Sequence, residues 1–538
     1  MVGASPMMNL PLNSWLLFDN ASKHAAHAEL VSRHPDGTVE RHTYGEFSRR
    51  TLQLMGALDH LGIPDGATVA TLAWNSVRHL EAYFAVPCTG RVLHTLNLRL
   101  SPEELAFIIG DAGDVCVLVD PDLLPLLEGA LEHLGATAPQ VVVLADEVPD
   151  TSISDAIAYE PLIAGMPTSY PRREIDEDAS MGLCYTSGTT GRPKGVVYTH
   201  RSTFLHALAV TSHAAMSIGP GDSVLAQVPM FHANAWGMPY AATAVGAKQV
   251  FFAGALEPRA FVDLLANEHV TVTAGVPTIW IAIADELARR GGQLGDLRHI
   301  VCGGAQPPRS MIERYASEFQ IPIIQAWGMT ETSPLASMAW PQERMRPWSD
   351  DEIVDRARTK AGLPLPGVEI SIRDDTGAEV PADGESMGDL CVRGPWIIDH
   401  YLHHHGEDSF TEDGWFKTGD VAVASDDGYF VITDRTKDLI KSGGEWISSV
   451  DMEANVMELA GVVEAAVIAI PDPKWQERPL VCIVTTPEVS VTAEQVRAHL
   501  LEKGFAHWQL PERVEQIDEV PKTSVGKFDK KALRARFA

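Results

Sequence analysis

Short, uninterrupted apolar runs recur along this chain, separated by helical patterns, and that recurrence limits its fold more than any other feature. Asp114–Asp120 (DVCVLVD) and Gln140–Ala145 (QVVVLA) show no polar alternation. A strand with one wet face alternates. A strand that does not is buried on both faces, as in a parallel sheet covered by helices. Ala67–Ala73, Gln249–Phe252, Val270–Ala274, His299–Cys302 and Pro322–Ala326 repeat the pattern. Between such runs, Thr43–Leu58 has helical spacing. Ser101-Pro-Glu-Glu opens another helix, with Ser as cap, Pro in the first turn and Glu at the positive end. The expected class is α/β, with mostly parallel sheets flanked by helices.

After about residue 365 the texture changes. Val368–Arg373, Gly388–Arg393 and Tyr429–Thr433 read as short strands set apart by turns, a β-rich subdomain over about 365–436. The last hundred residues read as a small α+β unit. It has helix 449–459, strands 462–470 and 479–485, and helix 493–503. At 538 residues the chain has room for three or four domain-sized units.

Charge excludes some functions. The 42 Lys and Arg face 72 Asp and Glu, a net charge of −30. That field opposes non-specific binding to nucleic acid or an anionic membrane. The tail departs from it. Lys522, Lys527, Lys530, Lys531, Arg534 and Arg536 face Asp529 alone, so a polyanion is expected to be met there. Six dispersed cysteines form no CxxC, and no zinc or disulfide framework is legible. No basic, apolar leader opens the chain and no apolar run reaches about 18 residues. A cytoplasmic protein without a membrane span is expected.

The loudest motif is Tyr185-Thr-Ser-Gly-Thr-Thr-Gly-Arg-Pro-Lys-Gly195, which follows an apolar stretch. Glycines let backbone N–H groups approach anionic oxygens, hydroxyls add donors, and Lys194 adds charge. The string does not satisfy the Walker pattern. It resembles the phosphate loop of the adenylate-forming superfamily of acyl-CoA synthetases, luciferases and peptide-synthetase adenylation domains. Further segments agree in order: Pro229–Trp236 (PMFHANAW), Gly303-Gly-Ala305, Trp327–Thr332 (WGMTET), Lys417–Asp420 (KTGD), Thr433–Asp438 (TDRTKD), Lys441–Trp446 (KSGGEW) and Pro521–Lys527 (PKTSVGK).

The resemblance implies two steps: a carboxylic acid and ATP form acyl-AMP and pyrophosphate, then coenzyme A displaces AMP. It assigns Thr186, Ser187, Gly188, Thr189, Thr190, Gly191 and Lys194 to the phosphates. Glu331, helped by Thr186, would support Mg2+. Gly303, Gly304 and Ala305, with Trp327, Gly328, Met329 and Thr330, would surround the adenine. Asp420 and Arg435 would contact the ribose. Lys527 resembles the lysine that steadies the adenylation transition state, and His232 is a further catalytic candidate. Lys437 matches the hinge, which implies an adenylating domain over 1–436 and a mobile domain over 437–538.

Lys441, Gly443, Gly444 and Glu445 would line the CoA tunnel. Trp446 is either a platform for CoA or a buried aromatic of the small domain. His232, Trp236, Gly237, Met238 and Val276 would shape the acyl pocket. The strings FHANAWG and KSGGEWISS look most like medium-chain fatty acyl-CoA and 3-methylmercaptopropionate-CoA ligases. No carboxylate in the pocket segment pairs a substrate ammonium, so amino acids are not expected. The bulk of Trp236 and Met238 points to short- to medium-chain or thioether acids. The implied partners are a small carboxylic acid, ATP and CoA, and a homodimer is allowed.

A second reading keeps the adenylate but passes the acyl group to an amine, a carrier protein or another acceptor. A third, a silent nucleotide-binding regulator, conflicts with the presence of Lys527, Glu331 and Asp420. Three weaker patterns are set aside: Gly384–Gly388 fits GxSxG but sits in a polar turn, His403–His405 on a loop reads as a solvated or adventitious metal site rather than a functional one, and His24 with His27, one helical turn apart, is too weak a pattern for a metal.

Overall fold

The computed structural model describes residues 7–186, 192–292, 294–442, 445–486, 489–522 and 528–537. The unalternating runs form the interior of two large sheets. In the seven-stranded sheet the strand order is 157–158, 140–143, 116–119, 68–72, 92–95, 180–185, 195–199. All neighbours are parallel except the last pair, a hairpin. In the nine-stranded sheet the order is 363–364, 335–338, 323–328, 299–302, 272–275, 223–226, 248–252, 29–33, 39–43. Its middle is parallel and its ends antiparallel.

Burial explains the composition of these strands. Cys116–Val119, Val272–Gly275 and His299–Cys302 are buried at every residue. Helices Ser14–His24, Tyr44–His60, Val77–Cys88 and Met238–Val245 fill the space between the two sheets. The outer face of the nine-stranded sheet carries helices Pro258–Asn267, Pro277–Arg289 and Arg309–Glu318. Helices Pro102–Ala112 and Leu124–Leu134 cover the other sheet. Ser101 caps the first of these as its sequence implies, in a reciprocal bond with Glu104.

The edge hairpin Glu29–Arg33 and Val39–Thr43 has no counterpart among the sequence expectations. Its second strand, Val-Glu-Arg-His-Thr, is mostly polar because it lies at the sheet margin and faces solvent.

A four-stranded antiparallel sheet follows, made by Glu369–Arg373, Gly388–Arg393, Phe416–Ala424 and Phe430–Arg435. The last sheet contains Ile440–Ser442, Glu445–Ile447, Val462–Asp472, Gln476–Thr485 and Arg513–Gln516. Helices Ser449–Val456 and Ala493–Glu502 pack on one of its faces, and Lys530–Phe537 on the other. The first of these helices stops three residues short of its expected end. The six cysteines are buried and free, and among the described residues no helix is long and apolar enough to cross a membrane.

Candidate active site

Parallel strands of the nine-stranded sheet end side by side. Gly275 is in register with Cys302, and Cys302 with Gln325. One residue further along lie Val276, Gly303 and Ala326, together on the C-terminal edge. In open α/β sheets ligands collect outside that edge. Gly303 has no space for a side chain. A Cβ there would lie 2.8 Å from the Ala326 carbonyl oxygen and 2.9 Å from Cη2 of Trp236. A Cβ on Gly304 would stand 3.1 Å from Cγ1 of Val276 and 4.0 Å from Cζ2 of Trp236. Two acyl-pocket candidates, Trp236 and Val276, thus rest on two adenine-wall candidates, with Gly304 and Ala305 exposed at the rim.

Trp236 arrives on an uncommon turn. Ala233, Asn234, Ala235 and Trp236 have φ of 43°, 53°, 47° and 58°, followed by Gly237 at 76°. Left-handed backbone costs about 1–2 kcal/mol per L-residue, so tertiary contacts must hold it. The His206 ring lies against Gly237, where a Cβ would come within 2.6 Å of its Nδ1. Its Nε2 accepts the Leu335 N–H at 3.1 Å. That bond needs a neutral ring, and burial pushes the His206 pKa down to about 3. Met238 packs with Trp236 in the central core. His232, half-buried at the start of the turn, lines a small cavity with Thr95, Asn97, Tyr185, Thr186 and Phe231.

The foot of the expected phosphate loop is the hairpin Ser180–Tyr185 and Gly195–Thr199. Thr186 N donates to Lys194 O at 3.0 Å, and Lys194 N donates to Thr186 Oγ1 at 3.1 Å. Ser187, Gly188, Thr189, Thr190 and Gly191 lie outside the described residues. Lys194 Nζ stands 4.6 Å over the Tyr401 ring, and the Tyr401 hydroxyl donates to Glu331 Oε1 at 2.7 Å. Glu331 is buried in the turn that follows strand Ile323–Gly328. Tyr198 holds the same turn by donating to Thr330 O at 2.9 Å. Met329 N donates to Pro334 O at 3.1 Å.

One carboxylate and one hydroxyl are hard oxygen donors, too few for a cage of protein groups. They suit Mg2+, which keeps waters and binds through one or two carboxylates and substrate phosphates. Among the described residues no group of three or more His, Cys, Asp or Glu could hold a metal.

The expected ribose carboxylate is preorganised. Asp420 is buried, its Oδ2 accepting Trp327 Nε1–H at 3.1 Å and its Oδ1 pairing with Arg435 Nε at 2.7 Å. The Trp327 ring meets Phe430 edge-on at 5.6 Å. Trp327 and Asp420, 93 positions apart in sequence, therefore form one wall.

Past Arg435 the chain turns, and Arg435 O accepts the N–H groups of Asp438 and Leu439. Lys437 lies in this turn. Asp434 Oδ2 accepts the backbone N–H and the hydroxyl of Ser449, tying the turn to the next helix. Lys441 Nζ lies 5.2 Å over the Trp446 ring, which is 44% exposed, so Trp446 is not a core aromatic. Gly443, Gly444, the Glu445 side chain and Lys527 are outside what is described. Ser386 bonds to Asp383 in a polar turn, not on a strand-to-helix elbow. Sequence patterns missed Tyr401, Tyr198 and His206, because each acts on a residue more than 65 positions away and carries no local signal.

The AMP-binding enzyme family matches residues 17–402, and the AMP-binding enzyme C-terminal domain matches residues 451–527. A long-chain-fatty-acid–CoA ligase of Thermus thermophilus is 46% identical, covering 99% of this chain and 97% of the relative. A 3-methylmercaptopropionyl-CoA ligase of Ruegeria lacuscaerulensis is 39% identical, covering 99% and 98%. The crystal structure of an anthranilate CoA ligase in complex with anthranoyl-AMP superposes with a TM-score of 0.85 at 25% identity, covering 98% of both chains.

Proposed function

We infer the activity from one premise: the chain belongs to the AMP-binding enzyme family. It is an ATP-dependent carboxylic acid–CoA ligase that works through an acyl-AMP intermediate. The observation that carries this reading is the common edge described above, where Trp236 and Val276 rest on Gly303–Gly304 and put an acyl wall against a nucleotide wall. An acid bound on one side and a nucleotide on the other are placed for attack of carboxylate on phosphorus.

In the first step a carboxylate oxygen bonds to the α-phosphorus and pyrophosphate leaves. Thr186 and Glu331 are the residues that would hold Mg2+, which supplies charge neutralisation on the phosphate oxygens. Asp420 and Trp327 orient the nucleoside, and Lys527 is the cation brought to the transition state. In the second step the CoA sulfur bonds to the acyl carbon, AMP leaves with the electron pair of the broken C–O bond, and the thiol proton passes to solvent. Lys441, Gly443, Gly444 and Trp446 accompany the CoA arm.

The steps need different surroundings, so we place a hinge at Lys437 between an adenylating domain, 1–436, and a mobile domain, 437–538. The turn at 436–438 between two separate sheets supports that boundary. We take the acid to be a short- to medium-chain fatty or thioether acid, because Trp236 fills the pocket side of the edge. The location we propose is cytoplasmic, in keeping with six free buried cysteines. A homodimer is the assembly to look for by light scattering.

The test is AMP formation from C2–C16, aryl and thioether acids, with and without CoA. Acid- and CoA-dependent AMP release with linear or thioether acids is expected. AMP release that ignores CoA and instead requires an amine would overturn the choice of acceptor.

A further inference from the structure

We propose that Tyr401 is a positioning residue for the triphosphate and its metal, setting the Glu331 carboxylate with its hydroxyl and holding the Lys194 ammonium on its ring until phosphate draws it away. The proposal rests on the ligase reading for its nucleotide and goes beyond it in naming the residue that joins the two charged groups.

Four contacts bring the segment around Tyr401 onto the nucleotide machinery. Ile398 N donates to Glu331 O at 3.1 Å, so the segment is tied to the Glu331 backbone as well as to its side chain. The Tyr401 hydroxyl fixes one carboxylate oxygen at 2.7 Å. The Leu402 side chain lies under the loop foot, where a Cβ on Gly195 would meet it at 3.0 Å. His403 Nε2 bonds Asp111 O at 3.0 Å, and Asp111 Oδ2 accepts the Tyr185 hydroxyl at 2.7 Å.

Tyr401 is 4% exposed, and its ring is wedged against Phe410 and Phe416. It cannot swing away without disturbing that aromatic cluster. The backbone is specialised too. His403 and His404 adopt φ of 58° and 56°, and Gly406 one of 72°. A Cβ on Gly406 would overlap Lys194 Nζ, so the glycine forms the second wall of the ammonium's seat.

The chemistry favours a transferable lysine. Lys194 makes no ion pair among the described residues. An aromatic face attracts an ammonium without neutralising it, whereas a carboxylate would hold it against the incoming phosphates. The hydroxyl donates to one oxygen of Glu331 and so orients the carboxylate that would support the metal. One side chain thereby sets a metal-supporting anion and a phosphate-seeking cation.

The experiment separates the two roles in the full-length chain. ATP binding is measured by titration calorimetry in excess Mg2+ and in EDTA. Tyr401→Phe keeps the ring and removes the hydroxyl. Its EDTA affinity should stay within twofold of the parent, while the tightening produced by Mg2+ shrinks at least fivefold. Tyr401→Leu should also weaken binding in EDTA, by about three- to tenfold. Glu331→Gln should lose the Mg2+ increment, and adding Tyr401→Phe to it should change nothing further. The urea midpoint of each variant checks folding. A parental Mg2+ increment in Tyr401→Phe would overturn the proposal, as would a further loss in the double variant. Failure of the parent to adenylate any acid would sink the ligase reading and leave this binding test readable.

Discussion

Gly303→Ala tests the point where the acyl and nucleotide walls touch. The new Cβ would lie 2.8 Å from the Ala326 oxygen and 2.9 Å from Cη2 of Trp236. Carbon contacts relax at about 3.5–4 Å, so each neighbour must give by roughly 0.5–1 Å. The Ala326 carbonyl belongs to a strand and cannot move alone, whereas the indole can tilt. Overpacking of this kind costs about 1–3 kcal/mol. Trp236→Ala alone should cost about 3–5 kcal/mol by leaving a cavity. In the double variant the indole clash vanishes and the carbonyl clash remains. The two losses should therefore sum to more than the double variant shows, by about 1 kcal/mol.

Urea unfolding of the four proteins reads the coupling. A kcat/KM series over C3–C14 acids reads the consequence. Gly303→Ala pushes the indole toward the acyl side and should cost about tenfold with the longest acid the parent uses well, and less with shorter ones. Trp236→Ala should move the optimum toward longer acids. Additivity within about 0.5 kcal/mol, together with an unchanged chain-length profile, would refute the contact.

Lys527→Ala should lower acyl-AMP formation by about 10² or more while sparing thioester formation from supplied acyl-AMP, since it removes a charge used in the first transition state. Rapid pyrophosphate release by the variant would disprove that role. Lys437→Pro locks φ at the proposed hinge and should leave one half-reaction working and the other lost; equal loss of both is the contrary result. His200 and His206 are buried and held neutral, with burial pushing their pKa values down to about 4 and about 3. Both take up a proton on unfolding below their ordinary 6.5. Their contribution to stability is full above that pH, falls as pH drops, and levels off below the native values. Each adds a slope of up to about 1.4 kcal/mol per pH unit. The urea midpoint should therefore drop between pH 6.5 and pH 5, and drop less in His200→Gln and His206→Gln.

Features with a local cause could be read directly from the residues. Unalternating runs such as 116–119 read as strands buried on both faces, and Ser101-Pro-Glu-Glu reads as a helix start, because both signals lie within a few residues. The Tyr185–Gly195 and WGMTE strings marked the AMP-binding enzyme family for the same reason, since each is a run of consecutive residues. Tertiary structure decided which of these meet. Trp236 lies on Gly303 because parallel strands end at one edge, whereas Trp327 reaches Asp420 and Tyr401 joins Lys194 to Glu331 because the antiparallel sheet and the loop after its strand Gly388–Arg393 pack against that edge. The left-handed turn at 233–237 also had no local signal. Two alanines and a tryptophan avoid that backbone on their own, and the turn exists because His206 and the surrounding core outweigh their preference.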